Sequence, residues 1–201
     1  QDAGQWSHVQ QQMSGYLDAD GLANYFPVRA GDGNQGSDAL TAYLLAAAHT
    51  AQKSDPRFAL NPPLAQQMLA GLAAFVEGRI ERLFWSPRPD LDVRKLAAIE
   101  ALSRYGQAVP AMLDSIVIDP KRWPTHAVID WLNILKRVPT IPRRDSLMAQ
   151  ASQILRARLI YQGTRVMFNN ERDDQWWWLM QNGDVNAARL LLTVLDDPQW
   201  R

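Results

Sequence analysis

The sequence predicts an all-α chain of helical hairpins. Three observations carry that expectation. Apolar residues recur at helical spacing through most of the 201 residues. Gly and Pro signals cut the chain into about seven or eight segments of roughly ten to twenty residues each. Only one stretch, Thr164 to Phe168, alternates as a strand would. Hairpins return at a spacing of roughly 40 to 50 residues, which predicts a solenoid or a closed toroid. No strict sequence repeat is visible, which favours a toroid of divergent hairpins.

Trp6, Val9, Met13, Tyr16 and Leu17 share a helical spacing, so the first segment is expected to be an amphipathic helix that stops near Asp18 to Gly21. Asp18, Asp20 and Gly21 make half of a calcium loop. The remaining ligands do not follow at the required spacing, and a plain turn is expected. Tyr25, Phe26 and Pro27 then lead into a turn with Gly31, Gly33 and Gly36, able to reach left-handed dihedrals. Ser37 or Asp38 caps an Ala-rich helix over 38–52, expected to lie inside, with His49 as a core or boundary residue. A glycine loop before a helix can hold phosphate on its amides. Here no Lys follows the last glycine, and Asp32 and Asp38 would repel an anion, so the turn is read as structural.

Asn61 before Pro62 and Pro63 marks a helix start. Leu64, Met68, Leu69, Leu72, Phe75, Val76, Ile80, Leu83 and Phe84 form the apolar face of a long helix ended by Trp85 to Pro89. A fourth helix starts near Asp90 or Asp92, buries Leu91, Leu96, Ala98, Ile99 and Leu102, and stops at Gly106 as a left-handed cap, closing an antiparallel hairpin. A shorter apolar piece follows Pro110. Thr125 to Val138 reads as a helix turning Val128, Ile129, Trp131, Leu132 and Leu135 inward, and Asp145 to Gln162 as another, closed by Gly163. After the strand candidate and a polar run come Trp176, Trp177 and Trp178, and a last helix over Asp184 to Leu195 is broken by Asp196, Asp197 and Pro198.

Composition narrows the chemistry. With 21 basic and 21 acidic side chains and a pI near 7.0, the chain offers no general attraction to nucleic acid or an anionic membrane. It has no cysteine, which excludes disulfides, thiolate zinc and a cysteine nucleophile within these residues and leaves the redox compartment open. No apolar run approaches the roughly 20 residues of a membrane span. The chain opens on Gln1 instead of Met and does not begin like a signal peptide, from which we expect an upstream part.

Asp173 and Asp174 beside the tryptophans form the best acidic constellation. Acids next to aromatic platforms are what a glycoside hydrolase or lyase would use, but a solvated loop beside packing tryptophans is the simpler reading. Asp90 and Asp92 read as helix capping, and Asp196 and Asp197 as a loop. His8, His49 and His126 are scattered, which gives no support to metal hydrolysis or serine chemistry. Arg143, Arg144, Arg156, Arg158 and Arg165 are interspersed with acids and read as a solvated face.

Several stretches together resemble the thioester-type domain of bacterial α2-macroglobulins: the turn into Ser37 to Tyr43, Arg82 to Ser86, Asp92 to Ser103, Asp119 to Trp131, Arg156 to Thr164 and Trp176 to Leu192. They follow the family's order through nearly the whole chain. The resemblance implies an all-α fold, a single domain over 1–201 forming part of an α/α-toroid, cut from a much larger multidomain protein. It implies a non-enzymatic, cofactor-free role in a periplasmic inhibitor that entraps attacking proteases, with the other domains of the parent chain as partners and inner-membrane association through the parent. The family's Cys-x-Glu-Gln thioester motif is absent here. In the family that motif lies upstream of the helix and glycine turn that open this chain, and some relatives lack it and trap non-covalently; both cases stay open. The family's toroid also continues past Arg201, so apolar inner-helix surface is expected to be exposed. No catalytic, cofactor-binding or metal-binding residue is assigned. The alternatives are a toroid hydrolase or lyase using Asp173 or Asp174, and a non-catalytic helical scaffold.

Overall fold

The structure, a computed structural model, describes residues 2–83, 85–163, 165–168 and 176–200. They are mostly helical, as the periodicity predicts. The chain divides into two compact units, Gln1–Ser115 and Ile116–Arg201.

In the first unit, helix α1 (Asp2–Met13) continues into a 3-10 turn at Ser14–Tyr16. It is amphipathic only weakly: Trp6 and Met13 are half-buried and Val9 is exposed. It rests on the 3-10 turn Pro56–Phe58, where Trp6 Nε1 donates to Ala59 O at 3.2 Å and its ring meets Phe58 edge-on at 6.1 Å. Helix α2 (Asp38–Ser54) starts at Ser37, whose hydroxyl accepts from Leu40 N at 3.1 Å as the sequence predicts. It lies inside, burying Thr41, Ala42, Leu45, Ala48 and His49.

Helix α3 (Pro62–Val76) begins at the predicted prolines, but the Asn61 side chain makes no cap bond; Asn61 N instead donates to Gln10 Oε1. It is also shorter than predicted. At Gly78 the backbone turns left-handed, φ 73°, and Arg79 N donates back to Ala74 O at 2.9 Å, the closure that ends a helix. Ile80 and Leu83 therefore leave the helix, and Leu83 is 93% exposed. Phe84 lies outside the described residues.

Helix α4 (Leu91–Arg104) buries Leu96, Ala98, Ile99 and Leu102 as expected, while Leu91, its first residue, faces solvent. It stops at Gly106, φ 69°, with Gln107 N bonded to Leu102 O at 3.0 Å. Asp38 pairs with Arg94 near the N-terminal ends of α2 and α4, and Thr50 Oγ1 accepts from Arg104 Nη1 near their C-terminal ends. Contacts that rise together along both chains mean the two helices run parallel, with α3 packed on both.

The second unit is built on helix α5 (Thr125–Arg137), in which every residue from Thr125 to Leu135 is buried. The predicted apolar face is there, but the polar residues between are enclosed too, which makes α5 a central helix rather than an amphipathic surface one. Helix α6 (Arg144–Arg158) packs on α5, and Arg158 at its end donates to Trp123 O at 2.8 Å and Thr125 Oγ1 at 3.2 Å at the start of α5, so the two run antiparallel. The predicted helix over 145–162 ends at Arg158. Leu159–Gln162 is instead strand β1, paired antiparallel with β2 (Arg165–Phe168), which the alternation predicts except for Thr164, outside the described residues. A strand must find a ladder partner for its amides, and the nearest is the segment across Gly163, φ 61°. Helix α7 (Gly183–Val194) starts at Asn182, which caps Val185 N at 2.9 Å, and runs parallel to α5, as Asp130 meets Arg189 and Asn133 meets Thr193.

Candidate functional site

The turn from Asp18 to Gly21 gathers a dense set of polar contacts in the first unit. Asp18 Oδ1 accepts from Asp20 N and Leu22 N, each at 3.0 Å. Its Oδ2 accepts from Gly36 N at 2.8 Å and from Arg82 Nη2 at 2.8 Å. The same Nη2 reaches Asp20 Oδ2 at 2.7 Å, and Arg82 Nε donates to Gly36 O at 3.0 Å. The half calcium loop thus holds a cation, the guanidinium of Arg82. The glycine turn likewise holds an anion on its amide, and that anion is Asp18. Close approach makes both possible: a Cβ on Gly36 would lie 2.3 Å from Leu22 O, and one on Gly71 2.5 Å from Asp20 O.

A second guanidinium is joined to this one through the backbone. Arg94 grips Asp38 with two hydrogen bonds, reaches Asp90 Oδ1 at 3.5 Å, and donates from Nη2 to Arg82 O at 2.8 Å, with Phe75 against its face at 5.4 Å. Burial pushes the Asp38 carboxyl up from its ordinary range, against the pull of Arg94. Burial also works to discharge Arg94, but the hydrogen bonds and charges of Asp38 and Asp90 outweigh it and raise its pKa. Arg82 is held charged in the same way by Asp20 and Asp18. A guanidinium that cannot deprotonate keeps Asp38 ionised at neutral pH. This is a clasp that fixes loops to helix ends, with its carboxylates committed to internal donors.

In the second unit, polar residues at i, i+4, i+7 and i+10 of α5 form a seam with α7. Asp130 pairs with Arg189, Asn133 Nδ2 donates to Thr193 Oγ1 at 3.0 Å, and Lys136 Nζ donates to Thr193 O at 2.7 Å. His126 begins the stripe. It is buried edge-on against Trp176 at 5.5 Å, and neither ring nitrogen has a hydrogen-bond partner among the described residues. Burial, with the charge of Arg189, lowers its pKa to about 3, so the imidazole is neutral. The spacing His126, Asp130, Asn133 is the sequence signal that could have found this seam.

The other candidates separate. Trp176 is buried, its ring 5.0 Å from that of Trp178, while Trp177 is 64% exposed. Asp173 and Asp174 lie outside the described residues. Asp90 occupies the cap position of α4 but turns its carboxylate to Arg94, and Asp92 lies in the first turn. Asp196 is exposed and Asp197 pairs with Lys136. His8 is exposed beside Gln12, and His49 is buried against Tyr105. Four of the arginines have separate surroundings: Arg143 and Arg144 line a shallow depression at the start of α6, Arg156 covers Trp200 at 4.6 Å, and Arg158 ties α6 to α5; the Arg165 side chain lies outside the described residues. No group of three or more His, Asp or Glu among the described residues is placed to hold a metal, and no described helix is long and apolar enough to cross a membrane. No protein-family model, curated protein or solved structure matches this chain.

Proposed function

We propose that the chain is part of a bacterial α2-macroglobulin-like protease inhibitor, its hairpins contributing to an α/α-toroid that entraps attacking proteases in the periplasm. The observation that supports this reading is a shared helix arrangement. In each unit two parallel helices, α2 with α4 and α5 with α7, are bridged by an Asp–Arg pair, and the helix between them in sequence packs back on the first. Repeated return of the chain in one direction is what a ring of hairpins requires. The inhibitor role rests on the sequence resemblance, since a fold alone would not license it. Its partners are the trapped protease and the other domains of the parent chain, and it needs no cofactor.

Denaturing mass spectrometry of the natural gene product in periplasmic and cytosolic fractions tests the reading. A periplasmic species many times heavier than 22.7 kDa is expected. Mixed with an endoprotease, that species should suppress cleavage of a large protein substrate and spare a small peptide substrate. A free-standing product near 22.7 kDa that leaves both cleavages unchanged would overturn it.

A further inference from the structure

Asn182 and Gly183 open α7 as an Asn–Gly step, in which the second residue carries no side chain to hinder its nitrogen. Asn182 is exposed, has an extended backbone at φ −150° and ψ 174°, and its carboxamide oxygen accepts from Val185 N at 2.9 Å. That bond folds the side chain over the first turn, whose leading amides have no acceptor within the helix; Gly183 N is the first of them. The bond also draws electron density from Cγ, and glycine leaves its nitrogen open to approach.

We propose that Asn182 is a site of spontaneous, backbone-assisted deamidation in the folded protein. The Gly183 nitrogen bonds to Asn182 Cγ, the Cγ–Nδ2 bond breaks, and ammonia leaves with the proton that Gly183 N gives up. Water then opens the cyclic imide at one of its two carbonyls. One opening yields aspartate, the other isoaspartate, in which the main chain runs through the former side chain. No oxidant or cofactor takes part, and the chain gains about 1 Da.

The two products act oppositely on α7. Aspartate keeps an oxygen for Val185 N and adds negative charge at the positive end of the helix dipole. Isoaspartate lengthens the main chain by one carbon and withdraws the cap from a turn that contains the buried Asn186.

The test is to age the purified chain in mildly alkaline buffer at body temperature and map the mass gain by peptide. The gain should fall on Asn182 ahead of the other asparagines, and Gly183→Ala should slow it by about tenfold. The isoaspartate fraction, separated by chromatography, should exchange its α7 amides about tenfold faster than fresh protein, while Asn182→Asp exchanges like fresh protein. No gain at Asn182, a gain only after unfolding in urea, or a rate indifferent to Gly183→Ala would overturn the site. Unchanged exchange in the isoaspartate fraction would overturn its effect on α7.

Discussion

Arg94 holds Asp38 through two hydrogen bonds, Nε to Oδ2 at 2.9 Å and Nη2 to Oδ1 at 2.6 Å, with side chains 4% and 0% exposed. The pair joins the first turns of α2 and α4, and Asp38 also sits where the dipole of α2 favours its charge. Arg94→Met removes the guanidinium and strands a buried carboxylate, which should cost about 3–5 kcal/mol in urea denaturation. Adding Asp38→Leu should recover much of that loss, because a matched apolar pair needs no desolvated charge. A double variant no more stable than Arg94→Met would refute the pairing argument.

Arg82 has the same standing for the turn at Asp18. Its loss would leave Asp18, with a side chain 0% exposed, without a counter-ion, and Arg82→Ala is expected to cost about 3–5 kcal/mol. Asp20 is partly solvated, with a side chain 26% exposed, so Asp20→Asn should cost about 1 kcal/mol or less. Equal losses in the two variants would mean that Asp18 does not carry the turn.

The glycine turn separates two reasons for glycine. Gly36 has backbone against it, a Cβ there meeting Leu22 O at 2.3 Å, whereas Gly31 has open space and only its left-handed φ of 95°. Gly31→Ala should cost about 1 kcal/mol, from backbone strain alone. Gly36→Ala must move a strand of backbone and should cost about 3 kcal/mol or more. Thermal melts of both variants check the order; Gly31→Ala as damaging as Gly36→Ala would refute it.

Local signals in the sequence set out the helices well, and their failures share a cause. Ser37, Gly106 and the prolines at Pro62 and Pro63 mark boundaries through bonds within a few residues, so they were legible. The end of α3 was not. Ile80 and Leu83 continue the helical period past Gly78, and only the chain's turn toward Asp18 removes them. Leu159 to Gln162 likewise continues the pattern of α6 but pairs with β2, a contact made only after the chain reverses. The polar clasp was illegible for the same reason: Asp18 looks like an ordinary turn acid until Arg82, far along the chain, is brought to it.

His126 makes acid a specific threat to the second unit. Its imidazole titrates near 6.5 in the unfolded chain and at about 3 when folded, because burial and the charge of Arg189 oppose protonation. Below 6.5 the unfolded chain takes a proton that the folded chain refuses. This contribution is therefore whole above that pH and is lost progressively as pH falls toward about 3, by roughly 1.4 kcal/mol per pH unit. Carboxylates also titrate in this range, so the difference between native chain and His126→Phe isolates the imidazole. Phenylalanine keeps an aromatic face against Trp176 and carries no proton. Urea midpoints between roughly pH 7 and pH 4 should fall more steeply for the native chain than for His126→Phe, with the curves converging or crossing in acid. Parallel curves would mean that His126 is not held neutral against the seam between α5 and α7.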